Sequence, residues 1–164
     1  MRLLVIGATG SGKTTFARQL SRIFKIPFYT TDDIVFKNKF KIRNSEEVRE
    51  KKLKFIIKRK NWIIEGVHAG KWLEPVFVSA EVVFLLNINK FNIYKNLIKR
   101  HFKNKEGIRE TIKLMYWAYQ YNTDNLIWHK RAASKYKNTL FILKNNAEIL
   151  QALKKMSETK SLPI

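Results

Sequence analysis

The chain has 164 residues, 45% apolar and 28% charged, a composition expected of one soluble domain with a real core. Cysteine is absent, which excludes disulfides, thiolate zinc sites and a thiol nucleophile, and no apolar run approaches the ~20 residues of a membrane-spanning helix. The net charge of +20 leaves two readings open: Lys-rich solvated helix faces, of the kind that AT-rich codon usage produces, or an anionic partner such as nucleic acid.

Leu3-Leu4-Val5-Ile6 predicts a buried first strand over residues 2–6. Gly7-Ala8-Thr9-Gly10-Ser11-Gly12-Lys13-Thr14 follows it and fits G-x-x-x-x-G-K-[ST], the phosphate-binding P-loop. Thr15-Phe16-Ala17-Arg18-Gln19-Leu20 continues as a helix expected over residues 12–24. Strand, Gly-rich loop and helix is the order that phosphate binding needs. The glycines let backbone N–H groups turn inward where a Cβ would obstruct, and the helix N-terminus adds partial positive charge. Gly7 through Thr14, with Thr15, are therefore candidates for binding ATP. Lys13 would reach the β- and γ-phosphates, and the Thr14 hydroxyl would ligate Mg²⁺. The pattern selects neither a nucleotide nor a reaction.

Pro27-Phe28-Tyr29-Thr30 predicts a second strand and Thr31-Asp32-Asp33 a polar turn after it. Ser45 can cap a helix whose apolar face holds Val48, Leu53, Ile56 and Ile57. Trp62-Ile63-Ile64 is a buried third strand ended by Glu65-Gly66, and Pro75 is expected to break a short helical piece near Trp72. Residues 81–88 contain a fourth strand, and residues 91–101 a helix with Tyr94, Leu97, Ile98 and His101 on one side. After Gly107, the spacing of Ile108, Ile112, Met115 and Tyr119 predicts a long helix running through Trp128 toward Tyr136. Residues 139–143 form a fifth strand, residues 147–155 a last helix, and residues 157–164 a frayed tail.

Strands alternating with helices predict a three-layer α/β fold, a P-loop NTPase domain over residues 1–156 with a five-stranded parallel sheet. Ligands of such sheets bind at the carboxyl ends of the strands, so the P-loop, Asp32, Asp33, Glu65 and Gly66 should share one edge. Asp33, with Asp32 beside it, can engage or deprotonate an acceptor, and Asp32 can help hold Mg²⁺ through water. The alternative is a pair that only ends a strand and caps a helix. Glu65 is placed to hold a Mg²⁺-bound water, or is a strand-end residue in a turn. Arg100 and Arg109 flank a Lys-rich connection that would form a short lid over residues 100–110 and stabilise a moving phosphoryl group, or are solvated charges. Arg131 is a weaker candidate of the same kind. His68, His101 and His129 show no metal-ligand spacing, and His68 beside Gly66 is a candidate substrate contact. Tyr116, Trp117, Tyr119, Tyr121 and Trp128 read as core or lid packing, with base stacking as the alternative. A strand leading straight into the P-loop argues against a signal peptide, and cytoplasmic location is the default expectation.

These residues resemble a family. The P-loop, Pro27-Phe28-Tyr29-Thr30-Thr31-Asp32-Asp33, Trp62-Ile63-Ile64-Glu65-Gly66, the strand and basic helix over residues 83–100 and the aromatic-rich helix are similar to the adenylate-kinase-like topology-modulation (FlaR-related) proteins. The resemblance extends to about Lys155. It implies a nucleoside- or nucleotide-kinase core with sheet order 2-3-1-4-5, ATP phosphates on Gly7–Thr14, and an acceptor facing Asp32 and Asp33. The implied activity is Mg²⁺-dependent transfer of the ATP γ-phosphoryl to a small molecule, with an ATP-binding, DNA-associated regulator as the alternative. Glu65 stands where the family often has Asp, and Asn87 and Asn89 replace an acidic residue often found after strand four. The Gly-Phe-Pro-Arg turn of adenylate kinases is replaced by Gly66-Val67-His68-Ala69-Gly70, so AMP is not the acceptor that the sequence indicates.

Overall fold

Strand β1 (Arg2–Gly7) lies at the centre of a sheet whose two faces are both covered. The computed structural model describes residues 1–37, 42–104, 107–121, 125–136 and 138–162. Along the chain, β1 is followed by α1 (Lys13–Phe24), β2 (Phe28–Thr30), α2 (Thr31–Val35), the two-residue strands β3 (Phe36–Lys37) and β4 (Ile42–Arg43), and α3 (Glu46–Ile57). Then come β5 (Trp62–Gly66), a 3₁₀ turn (Lys71–Leu73), α4 (Glu74–Ser79), β6 (Val82–Leu86) and α5 (Lys90–Asn104). Helices α6 (Ile108–Tyr121) and α7 (Asn125–Lys135), strand β7 (Thr139–Leu143) and helix α8 (Asn146–Thr159) complete it.

The main sheet has the order β2-β5-β1-β6-β7, and every neighbouring pair is parallel. Counting only its own strands, that order is 2-3-1-4-5. Period-two alternation sorts the central strands into two cores. Leu3 and Val5 join Ile63, Val82, Phe84 and Leu86 against α1, α5 and α8. Leu4 and Ile6 join Trp62, Ile64, Val83 and Leu85 against α3, α4 and α7. Helix α1 buries Phe16, Ala17 and Leu20 on the first face, with Phe16 edge-on to Phe84 at 5.2 Å between ring centroids. Burying such a side chain contributes about 1.5–3 kcal/mol. Trp62 and Ile34 are buried, as their apolar settings predict.

Several local expectations are corrected. Thr31-Asp32-Asp33 is the first turn of α2, because the Thr30 hydroxyl accepts the Asp32 N–H at 3.0 Å and starts a helix. Pro75 opens α4 near its N-terminus, where a missing N–H costs nothing, and does not break a helix. The long helix expected after Gly107 is described as α6 and α7; residues 122–124, on which its continuity rests, lie outside the described residues. On α6 the expected stripe is turned outward: Ile108 and Ile112 are 70% and 61% exposed, while Thr111, Ala118 and Tyr121 are buried. Apolar residues occur nearly all round this helix, so spacing alone selected the wrong face. On α5 the buried residues are Ile93 and Leu97, and Ile98 is exposed. Helix α8 continues to Thr159, beyond residue 156, because Asn145 caps its start, accepting the Glu148 N–H at 2.9 Å, and Lys160 ends it in the left-handed region. Residues 163–164 lie outside the described residues.

Candidate active site

The register places the functional segments at one height. Ile6 pairs with Gly66 and Thr30 with Glu65, so the chain leaves β1, β2 and β5 at the same edge of the sheet. There they bound a cleft of about 1330 Å³, walled on its far side by α5, α6 and the start of α8.

The loop between β1 and α1 turns on two glycines in the left-handed region, Gly10 at φ 82° and Gly12 at φ 90°. A side chain at either position would be strained. Ser11 N donates to Ala8 O at 3.1 Å, and Asn96 of α5 donates its Nδ2 hydrogen to Gly10 O at 2.9 Å, bracing the loop from above. The Lys13 ammonium folds back to donate to Ala8 O at 3.4 Å. Burial lowers the Lys13 pKa; Glu65 and Asp32 pull it the other way, and Arg100 adds to the lowering. A poorly solvated cation beside a Gly-rich loop at a helix N-terminus is a setting that suits an anion.

Glu65 is buried beneath the loop. Its Oε1 accepts the Thr14 hydroxyl at 3.1 Å, and Oε2 is buried with no hydrogen-bond partner. Burial raises its pKa, with Lys13 and the Thr14 hydroxyl opposing. Gly66, the next residue, is fixed by close approach: a Cβ there would overlap the hydroxyl oxygen of Thr31. Among the described residues, no three His, Asp or Glu side chains converge as a metal site. The donors nonetheless fit Mg²⁺, which keeps several waters and takes few protein ligands. The Thr14 hydroxyl and the Glu65 carboxylate, with the Thr30 hydroxyl beside it, are such a set.

Asp32 lines the cleft opposite Lys13, and its Oδ1 lies 3.0 Å from His68 Nε2. Burial pushes the Asp32 pKa up, but the His68 hydrogen bond and the charges of His68, Lys13 and Arg100 together hold it below the usual carboxylate range. The His68 ring lies between Phe36 and Trp72, at centroid distances of 6.1 and 6.3 Å.

Of the residues singled out from sequence, Thr9 through Thr15, Asp32, His68 and Arg100 line the cleft. Gly7 and Ala8 are buried and do not line it. Asp33 and Arg109 are exposed and do not line it. Successive helical residues diverge by about 100°, so α2 presents Asp32 and turns Asp33 away, where its carbonyl accepts Lys52 Nζ at 2.9 Å. The lid expected over residues 100–110 spans the end of α5 and the start of α6; its residues 105 and 106 lie outside the described residues. Asn96, Asn125 and His129 were not found by sequence reasoning. Each acts on a backbone carbonyl distant in the chain, and no short motif encodes that.

No family model matches the chain. It is 27% identical over 123 residues to an adenylate kinase of Buchnera aphidicola, covering 73% of this chain and 50% of that protein. It is 40% identical over 58 residues to an adenylate kinase of Caldicellulosiruptor bescii, covering 35% of this chain and 26% of that protein. The chain thus spans half or less of the length of these curated relatives. Shikimate kinase from Bacteroides thetaiotaomicron superposes with a TM-score of 0.65 at 17% identity over 99% of both chains. Shikimate kinase from Acinetobacter baumannii in complex with shikimate gives 0.63 at 13% identity, over 97% of this chain and 92% of that one. The chain shares the fold of these shikimate kinases: a three-layer α/β domain on a five-stranded parallel sheet. Among the described residues, no helix is long and apolar enough to cross a membrane.

Proposed function

We propose that the protein is an ATP- and Mg²⁺-dependent phosphotransferase acting on a small-molecule hydroxyl or phosphate. One observation carries this reading: the P-loop lysine and an ionised carboxylate, Asp32, open into the same cleft at the carboxyl ends of the strands. The likeness to adenylate kinases in sequence and to shikimate kinases in fold supports it.

Backbone N–H groups of residues 10–15 and Lys13 bind the phosphates. Thr14 would hold Mg²⁺ directly and Glu65 through water, and the ion would neutralise charge on the β- and γ-oxygens. Asp32 accepts a hydrogen bond from the acceptor, orienting an oxygen lone pair toward the γ-phosphorus. As that P–O bond forms, the bond to the β,γ-bridging oxygen breaks, ADP leaves, and a hydroxyl acceptor's proton passes to Asp32. Its lowered pKa makes Asp32 a weak base, which suits a loose transition state in which positioning matters more than deprotonation. Arg100, on the wall facing Lys13, stabilises charge on the transferring group.

A second reading, an ATP-binding DNA-associated regulator, follows from the topology-modulation resemblance and the charge. Lys51, Lys54 and Lys58 of α3 and its C-cap, and Lys95, Lys99 and Lys103 of α5, are all exposed. The experiment is ATP turnover against nucleosides, nucleotides, small hydroxy compounds and DNA ends, with Lys13→Ala as control. Transfer to one acceptor that the variant loses is the expected result. Turnover unchanged in Lys13→Ala would sink the mechanism, and hydrolysis raised only by DNA would favour the regulator.

A further inference from the structure

Behind His68 lies a buried polar chain that the proposed reaction does not use directly. His129 of α7 is fully buried, its ring stacked on Phe77 at 6.2 Å between centroids. Its Nε2 is 2.8 Å from His68 O, and its Nδ1 is 2.9 Å from the Tyr121 hydroxyl at the end of α6. A carbonyl only accepts, so Nε2 carries the hydrogen. In the neutral ring Nδ1 then accepts from Tyr121. One helical turn earlier, Asn125 donates from Nδ2 to Val67 O at 3.0 Å. Both carbonyls after Gly66 are thus held by one face of α7. The His68 side chain, on the same short segment, reaches the other way to Asp32 at 3.0 Å.

Such an arrangement is more than packing. A buried histidine needs some partner for each nitrogen, but here both polar groups of one helix face are spent on successive carbonyls of a single loop. A loop tied only by its ends would leave the His68 imidazole free to rotate away from Asp32. Tied at both carbonyls, its backbone has one position, and the ring is delivered to the carboxylate.

We propose that His129 and Asn125 are positioning residues, which hold the Val67–His68 backbone so that the His68 imidazole orients Asp32 toward the acceptor. The consequence for catalysis rests on the phosphotransferase reading; the mechanical coupling does not. Tyr121 belongs to the same device: it lines the cleft and donates its hydroxyl to His129 Nδ1, so the α6 wall is hydrogen-bonded to the residue that holds the His68 backbone.

The test uses the ¹⁵N-labelled full chain and long-range ¹H–¹⁵N spectra of its 3 histidines. Asp32→Asn defines how far the His68 Nε2 resonance moves when its partner is altered. His129→Phe keeps an aromatic ring but removes the donor, and is expected to move His68 Nε2 in the same direction by at least about half as much. His129→Gln, which restores an amide donor, should bring it back toward wild type. Asn125→Leu gives a second reading of the same displacement should His129→Phe not fold. Mg-ATP affinity should change less than about twofold in the His129 and Asn125 variants, because the P-loop is untouched. Once an acceptor is in hand, kcat should fall about tenfold in His129→Phe and Asn125→Leu with the KM for ATP unchanged. A merely structural His129 would lower thermal stability without moving His68. Resonances of His68 unmoved in the folded variants would overturn the proposal. Failure to phosphorylate any acceptor would overturn the phosphotransferase reading alone, because the ring shifts report the coupling without turnover.

Discussion

Thr14 donates its hydroxyl to Glu65 Oε1 across 3.1 Å although the two residues are 51 apart in sequence. One lies in the first turn of α1 and the other one residue before the end of β5, and pairing of β1 with β5 brings them together. The second oxygen of Glu65 is buried and makes no hydrogen bond. An orphaned buried carboxylate oxygen is unfavourable unless something fills it on binding. Glu65→Gln should raise the Mg²⁺ concentration for half-maximal turnover roughly 10–100-fold, as loss of an outer-shell partner does. Burial also penalises the charge of Glu65, so the same variant should melt no lower than wild type without ligand. A magnesium titration of turnover decides it. An unchanged requirement would remove Glu65 from the metal site.

The adjacent acids Asp32 and Asp33 can be separated by substitution. Asp32 faces Lys13 and His68 in the cleft, and Asp33 is exposed outside it. Asp32→Asn should reduce phosphoryl transfer by about 10²–10⁴-fold, the range for a positioned acid–base group. Asp33→Asn should leave it near wild type. Equal losses in both would return the acceptor role to Asp33.

How much of this was legible in the sequence depended on whether the information was local. The P-loop was readable because its glycines, lysine and threonine are consecutive and each does a backbone- or phosphate-specific task. The strands were readable because Leu3–Ile6, Trp62–Ile64 and Val82–Leu86 are buried on both faces and appear as unbroken apolar runs. Choosing between Asp32 and Asp33 required the cap at Thr30, which fixes the phase of a five-residue helix. The outward turn of Ile108 and Ile112 required knowing what α5 offers to α6. The role of His129 gave no signal, because the group it holds on the site loop is the His68 carbonyl, and a carbonyl has no residue type.

Gly66 is a sharp test of packing at the site. A Cβ there would fall on the Thr31 side chain, overlapping its hydroxyl oxygen and lying 2.7 Å from its Cβ and Cγ2. Gly66→Ala should destabilise the fold by about 1–3 kcal/mol, the usual cost of overpacking. Thr31→Ala removes the overlapping oxygen and Cγ2 but keeps the Cβ, so the double variant should recover part of the loss and not all. Denaturant midpoints of the two single variants and the double variant measure this. Strict additivity would mean that the strain lies elsewhere.

The buried histidine predicts a pH dependence of stability. Burial lowers the His129 pKa to about 4 from 6.5, against the His68 carbonyl, which favours the charged ring. Between those values the unfolded chain binds a proton that the native protein does not, so falling pH favours unfolding. Stability from this group is complete above about pH 6.5 and is lost as the pH drops toward 4, with no further loss below. The interval corresponds to about 3 kcal/mol at most. Other groups act with their own signs. Glu65, whose pKa is raised, gives stability that grows as pH falls, and Asp32, whose pKa is lowered, gives stability lost only at more acid pH. The comparison that isolates His129 is therefore wild type against His129→Phe, by urea unfolding from pH 7 to pH 4. The difference in unfolding free energy should shrink steadily across that window. A constant difference would mean that native His129 takes up its proton over the same pH range as in the unfolded chain, so that burial does not keep the ring neutral.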